Sequence, residues 1–447
     1  MKQKIFIFVI IFTNIITAFA QKNSETVYTL QQCIEIGLSQ NLDVIRAKAA
    51  IEPSQANLKA AFGSYLPNIQ FTMGYNRQLN TQGGQTVNVG GQVIKVGETS
   101  PNSYNMGLNA GLNLFDGFNR EANYNAADLN YQSTLLSLEQ AKILLKINIY
   151  RRFFDYASKK QIVQTRKENL EAGKKDLESI KAKNQVGQLP ISVVYSKEAE
   201  LGSLELDLAR AENDLNISRA NLLSLMGLNP VQKSDFSTSD INLNLTNKDI
   251  QAFRNKIGDF ESILTEALKA RYDYQAQLKN VQSMQSRVSS ARAAYYPQLQ
   301  IGTGWSWSNT AFQDFNDKGR SYVGLNFSVP IFTGFATNAS VQQSEYNYKI
   351  QEIQRASLEL NIKTEVESAL LNLEAAEKQM DIAEKSLFSA EMNYKILKER
   401  FDIGSANILE LTQANTQFLT AKINQINSVF YYLLAQKEVE YSAGRMN

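Results

Sequence analysis

The chain has 447 residues, with 46 Lys and Arg against 44 Asp and Glu, no histidine and one cysteine. That balance offers no basic excess for nucleic acid, and the missing imidazole removes the usual general base, the histidine-dependent triads and the commonest nitrogen metal ligand. Cys33, being alone, cannot form an intramolecular disulfide and is expected to pack inside a helix.

The first twenty residues read as a secretory leader. Lys2 and Lys4 precede an apolar run from Ile5 to Ile16, and Ala18-Phe19-Ala20 supplies a small-x-small cleavage signal, which predicts a signal peptide over 1–20. No cysteine follows the cut, so a lipid-anchored start is not expected. No later apolar run reaches the roughly 18 residues that a spanning helix needs. A membrane-embedded form would therefore have to be a closed β-barrel, the other structure that satisfies every backbone group in lipid.

A helix leads to Pro67 and then to two alternating segments. Ile69, Phe71, Met73 and Tyr75 alternate with Gln70, Thr72, Gly74 and Asn76, and Tyr104 to Leu114 alternates in the same way. Such period-two alternation fits a strand with one face to lipid, and fits a half-buried strand of a soluble sandwich equally well. Between the strands, Asn80 to Ser103 is rich in Gly, Gln and Asn and can fold back at Gly90-Gly91. From about Arg120 to Asn184 runs a proline-free helical pattern of about 100 Å, closed by Gln185-Val186-Gly187-Gln188-Leu189-Pro190.

The plan then repeats. Leu38, Asp43 and Pro67 match Leu268, Asp273 and Pro297 at a shift of 230, while Phe115, Gly187 and Gly227 match Phe332, Gly404 and Gly444 at a shift of 217. The thirteen-residue difference falls in the loop of the first strand pair. The predicted organisation is a first repeat over 21–227, an Asn-, Ser-, Asp- and Thr-rich inter-repeat linker or equatorial segment over 228–259, and a second repeat over 260–447. The barrel strands lie at about 67–116 and about 297–332. The second repeat carries Leu299, Ile301, Trp305 and Trp307, then Val323 to Ile331, and a long helix from Thr337 to Phe401 with i,i+4 charge pairs such as Glu374–Lys378.

Two features favour lipid. The polar strand faces are small and uncharged, and Tyr75, Tyr104, Trp305, Trp307 and Tyr322 gather beside the hairpin loops, as an interfacial aromatic girdle would. Four strands cannot close a pore, so a barrel wide enough for transport requires several chains. The rival readings are a secreted coiled-coil scaffold with a soluble β domain, and a carboxylate-based hydrolase for which no paired acidic motif is found.

In its duplicated halves, its two strands per half and its long helices, essentially the whole chain after the leader resembles the TolC-like outer-membrane efflux family. The stretch Phe401 to Ala414, FDIGSANILELTQA, is similar to the family's tip signature, with the Gly187 segment its weaker copy. The resemblance implies a mixed α and β membrane protein: a homotrimer whose 12-stranded outer-membrane β-barrel, four strands per chain, continues into a long periplasmic α-helical barrel. It implies a passive exit duct of a Gram-negative outer membrane, without cofactor or metal, working with an inner-membrane pump and a periplasmic adaptor protein. Val186, Gly187, Gln188, Ile403, Gly404 and Ser405 would contact the adaptor's hairpin tip. Phe401 and Glu410 would stand at the entrance gate, Glu410 as a ring of three carboxylates, although Val193 and Gln413 occupy positions where further acids would be expected. No P-loop pattern is present, so energy would come from the pump. Neither motif nor composition chooses a cargo.

Overall fold

The computed structural model describes residues 26–79, 85–96, 100–239, 241–243 and 245–446; the expected leader over 1–20 lies outside them. The first repeat opens with a short strand β1 (Thr26–Tyr28) and helices α1 (Leu30–Gln40), α2 (Leu42–Ala49) and α3 (Ile51–Gly63). Strand β2 (Asn68–Arg77), the small hairpin β3 (Gln85–Val89) and β4 (Gln92–Val96), and strand β5 (Asn102–Phe115) follow. The hairpin turns at Gly90-Gly91, both at positive φ. Then come the 67-residue α4 (Asn119–Gln185) and the 35-residue α5 (Ile191–Leu225).

The segment between the repeats carries strand β6 (Ser234–Phe236) and helix α6 (Asn247–Ile257). β6 pairs in parallel with β1. Thr246 starts α6 with a capping box closed by Asp249. The second repeat continues with α7 (Phe260–Ala270), α8 (Tyr272–Arg292), β7 (Gln298–Asn309), the one-turn α9 (Phe315–Lys318), β8 (Gly319–Ser328), α10 (Ala336–Asp402) and α11 (Ile408–Ser442). α10 and α11 have 67 and 35 residues, so each long hairpin repeats the other at the 217-residue shift.

The duplication also sets the core. Leu145 and Ile149 on α4 and their counterparts Ile362 and Val366 on α10 are all buried, each anchoring one of two apolar clusters around the middle of the helices. α8 lies against both long helices. Its contact with α4 uses two buried serines reciprocally: Ser133 Oγ donates to the Ala276 carbonyl at 3.0 Å, and Ser283 Oγ donates to the Ala126 carbonyl at 2.8 Å. Small side chains let the backbones approach while their hydroxyls stay satisfied. Buried Arg271, at the α7–α8 junction, is held by Asp273 (2.7 Å) and Glu365 (2.5 Å). Cys33 packs in the first cluster, and burial pushes its thiol up to about 12, which leaves it protonated and inert.

Strands β2, β5, β7 and β8 form one antiparallel sheet in the order β2-β5-β7-β8, with β2 and β8 as its edges. No helix among the described residues is long and apolar enough to cross a membrane.

Candidate functional site: helical tip and strand wall

The register of the sheet sorts its side chains onto two faces, because opposed residues in antiparallel strands point the same way. One face collects Ile69, Phe71 and Met73, Met106 and Leu108, Ile301, and Val323, Leu325 and Phe327. Most of these large apolar side chains are exposed in the single chain. The other face is Asn68, Gln70, Thr72, Asn105, Asn109, Gln300, Ser306 and Asn326 with glycines between them. Apolar side chains left open on one side of a sheet and, apart from Tyr322 and Arg320, small uncharged ones on the other fit lipid outside and water inside.

The aromatics expected to form a girdle do not all share one face of the sheet. The rings of Tyr75 and Tyr104 meet at 4.9 Å on the apolar face, tilted by 33°, and the Tyr75 hydroxyl donates to Asn102 Oδ1 at 3.0 Å. Trp305 shares that face and is half-buried. Trp307 is only 1% exposed, covered by the loop between β7 and β8: Phe315 stacks on it at 4.6 Å, Phe312 meets it edge-on at 5.6 Å, and its Nε1 donates to the Asp314 carbonyl at 3.3 Å. Phe312 also touches Tyr104 and is the exposed ring of the group.

Tyr322 does not belong with them. It stands opposite Gly304 on the polar face, its ring reaching across that glycine so that its hydroxyl donates to Asn109 Oδ1 at 3.1 Å. A Cβ at position 304 would meet Asn109 Oδ1 at 2.5 Å and Tyr322 Cε1 at 2.9 Å, so only glycine leaves room. The parity of β8 carried this information: Val323, Leu325 and Phe327 are apolar, so Tyr322 points the opposite way.

A second set of aromatics, which the loop-end pattern did not reveal, marks the corner where sheet meets helix. Phe118 and Phe335 both take φ +66° just before the long helices, and each meets the ring three residues before it edge-on, Phe115 at 5.4 Å and Phe332 at 5.6 Å. Both N-cap phenylalanines are exposed. The signal available was the repeated Phe-x-Gly-Phe of 115–118 and 332–335.

At the far end, each long helix closes with a Schellman turn. Gly187 N donates to the Asn184 carbonyl and Gln188 N to the Lys183 carbonyl, both at 2.9 Å; Gly404 N and Ser405 N repeat this with Phe401 (3.0 Å) and Arg400 (2.7 Å). The glycines sit at φ +76° and +79° with open space around them, so conformation alone demands glycine. Val186, Ile403 and Leu409 are 70%, 81% and 73% exposed, which puts apolar side chains on an otherwise solvated end. Phe401 is half-buried beneath Lys183, whose Nζ lies 5.8 Å from its ring centre. Glu410 is exposed and closes a capping box: its backbone N donates to Asn407 Oδ1 at 2.9 Å, and Asn407 N donates to its Oε2 at 3.4 Å.

The two tips touch. Lys183 pairs with Asp402 at 3.2 Å, and farther along Asp176 pairs with Lys398 at 3.5 Å. Lys197, 3% exposed, pairs with Glu200 at 3.0 Å and Asp176 at 3.8 Å, while Thr412 donates to Glu200 at 2.8 Å. Burial opposes the charge on Lys398, but neighbouring Tyr394 and Asp176 outweigh it and hold its pKa above the ordinary lysine value. The second repeat has Ala414, Gln417 and Asn393 at the positions of Lys197, Glu200 and Asp176, so the charged cluster belongs to the first repeat alone. Among the described residues, no group of three or more Cys, Asp or Glu could hold a metal.

Comparison with known proteins agrees with this geometry. TolC of Salmonella enteritidis is 22% identical over 338 residues, 72% of this chain and 63% of the relative, so the match spans less than two thirds of that protein's length. The efflux protein BepC of Brucella suis is 21% identical over 94% of this chain and 86% of its own. Among solved structures, the Campylobacter jejuni CmeC outer membrane channel has a TM-score of 0.78 at 22% identity, covering 93% of this chain and 85% of that one. The open-state MtrE outer membrane channel of Neisseria gonorrhoeae has a TM-score of 0.75 at 18% identity, covering 93% and 88%. The family described as outer membrane efflux protein matches residues 34–228 and 263–444, both repeats and little of the segment between them, and the chain belongs to that family.

Proposed function

We propose that this chain is one third of a passive exit duct across a Gram-negative outer membrane. The observation that carries the reading is the four-stranded sheet, apolar and exposed on one face and amide- and glycine-lined on the other, with both edges β2 and β8 unpaired in the single chain. An open edge in lipid leaves backbone groups without partners, and β8 of one copy joined to β2 of the next removes both edges. Three copies give twelve strands and an aqueous bore. The helices support the same assembly. α10 leaves Tyr346, Ile353, Leu360, Leu371, Ile382 and Phe388 exposed along its length, a seam suited to a neighbouring copy.

The far tips are the docking end. Val186, Ile403 and Leu409 beside the glycine turns offer apolar knobs to the helical hairpin of a periplasmic adaptor, through which an inner-membrane pump supplies the energy. The solute, a small molecule or a secreted substrate, passes without chemistry. Opening separates the hairpin tips around Phe401 and Glu410. Glu410 keeps one carboxylate oxygen engaged in its own helix cap, so its contribution to a gate is electrostatic.

The test is reconstitution of the full protein in a planar lipid bilayer together with a mass measurement in detergent. The expected result is a trimer mass and discrete conductance steps that grow when adaptor is added on the helical side. A monomeric, detergent-independent protein without conductance would overturn the reading.

A further inference from the structure

We propose that Arg320 makes the exit end of the duct anion-selecting, which rests on the duct reading above. The polar face of the sheet presents a long row of described side chains from Asn68 to Asn76, Ser103 to Asn113, Gln298 to Ser308, and Arg320 to Ser328. Arg320 is the only charged residue in that row. It is the second residue of β8, opposite Ser306, and so lies beside the β7–β8 loop at the end of the sheet away from the helices. It is exposed, and it makes no ion pair among the described residues.

The neighbouring described charges lie off the polar row. Lys318 donates to Asn309 Oδ1 at 2.6 Å, and Asn309 Nδ2 reaches Asp314 Oδ2 at 3.4 Å, so Asp314 and Lys318 are tied together through Asn309, which shares the apolar face with Trp307. Arg77 ends β2 on that same apolar face. Asp317 belongs to α9, outside the strand wall. One step deeper on the luminal side lies Tyr322, whose hydroxyl is engaged by Asn109. The wall beyond it is amide and glycine, which is dipolar and carries no net sign.

Threefold repetition turns one guanidinium into a ring of three at a single level of the bore. Rings of like charge at a constriction or mouth concentrate counter-ions and set selectivity, and a low-dielectric wall focuses the field. The guanidinium is always charged and presents a fork of donors to carboxylate, phosphate or sulfate oxygens. The solutes favoured are therefore small anions, and polyvalent anions should lodge at the ring.

The experiment uses the full trimer in a planar bilayer at about 0.1 M KCl, where the screening length is about 10 Å. Inositol hexakisphosphate is added to the loop side as the polyanion and spermine as the polycation. The wild type is expected to show current block by inositol hexakisphosphate. Arg320→Gln should raise the half-blocking concentration about tenfold or more, Arg320→Lys should keep the block, and Arg320→Glu should exchange it for block by spermine. Equal polyanion block in the wild type and Arg320→Gln, with conductance intact, would overturn the assignment and leave the duct standing. Absence of conductance in every variant would remove the duct and this inference with it.

Discussion

Lys183 Nζ lies 3.2 Å from Asp402 Oδ1, an ion pair between the last turn of α4 and the last turn of α10, helices of different repeats. Both side chains are partly exposed, so the pair contributes at most about 1 kcal/mol. A tip that opens by separating these hairpins loses that contact, and about 1 kcal/mol changes a two-state equilibrium about fivefold. Asp402→Asn is therefore expected to raise the open fraction in single-channel recordings by up to about fivefold. The swap Lys183→Asp with Asp402→Lys should return it toward the wild-type value. An unchanged open fraction in Asp402→Asn would show that the pair does not hold the tip.

The tip turns separate shape from stability. Gly404 sits at φ +79° with no atom near its missing Cβ, so Gly404→Ala meets only the left-handed backbone penalty, about 1–2 kcal/mol. Gly404→Asn should cost less, because asparagine visits that region more readily. Ile403→Ser leaves the turn intact and removes an exposed apolar knob. Thermal unfolding is expected to rank the variants wild type and Ile403→Ser above Gly404→Asn above Gly404→Ala, whereas adaptor pull-down should be weakest for Ile403→Ser. Full adaptor binding by Ile403→Ser would argue against the apolar knob.

Acid sensitivity has an identifiable centre at the β1–β6 sheet. Burial works to raise Asp235, but hydrogen bonds from Lys160 at 2.8 Å and from the Tyr156 hydroxyl at 2.5 Å outweigh it and hold its carboxyl below the usual carboxylate range. A depressed native pKa stabilises the fold above the unfolded value near 3.9 and loses that contribution as pH falls through the native value. The wild type should thus lose stability below about pH 4. Asp235→Asn should be less stable at pH 7 and show a smaller further loss on acidification. Parallel wild-type and Asp235→Asn unfolding midpoints between pH 7 and pH 3 would contradict this.

Much of this architecture was legible because its physics is periodic. The Phe401–Asp402 end of α10 and the Gln185 end of α4 follow from proline-free helical runs closed by glycine, and the strands follow from alternation after Pro67 and Pro297. The site was less legible where contacts are long-range. Nothing local says that Lys183 meets Asp402, or that Lys197 is buried between Glu200 and Asp176, since those pairings depend on how two hairpins lie together. Asp235 looked like linker chemistry because a three-residue strand carries too little pattern to detect. Tyr322 was different: its phase along β8 was in the sequence, but composition near the loop outweighed parity in the reading of a girdle.

The two tryptophans of the chain make the remaining question optical, since both lie on the apolar face of β7 and only one is covered. Trp307 is sealed by Phe312 and Phe315, whereas Trp305 is half-buried. In liposomes containing brominated lipid, the variant Trp307→Phe, which keeps Trp305, should be strongly quenched by the bromines. Trp305→Phe, which keeps Trp307, should be quenched weakly by lipid and by aqueous acrylamide alike. Adding Phe315→Ala to Trp305→Phe removes the stacked ring, so emission should move to longer wavelength and acrylamide quenching should rise. Losing a buried aromatic contact costs roughly 3–5 kcal/mol where the site cannot collapse, but this loop is a surface cap and the barrel should survive. Trp305 quenched by acrylamide and untouched by brominated lipid would place this face in water and reverse the assignment of the two sides of the sheet.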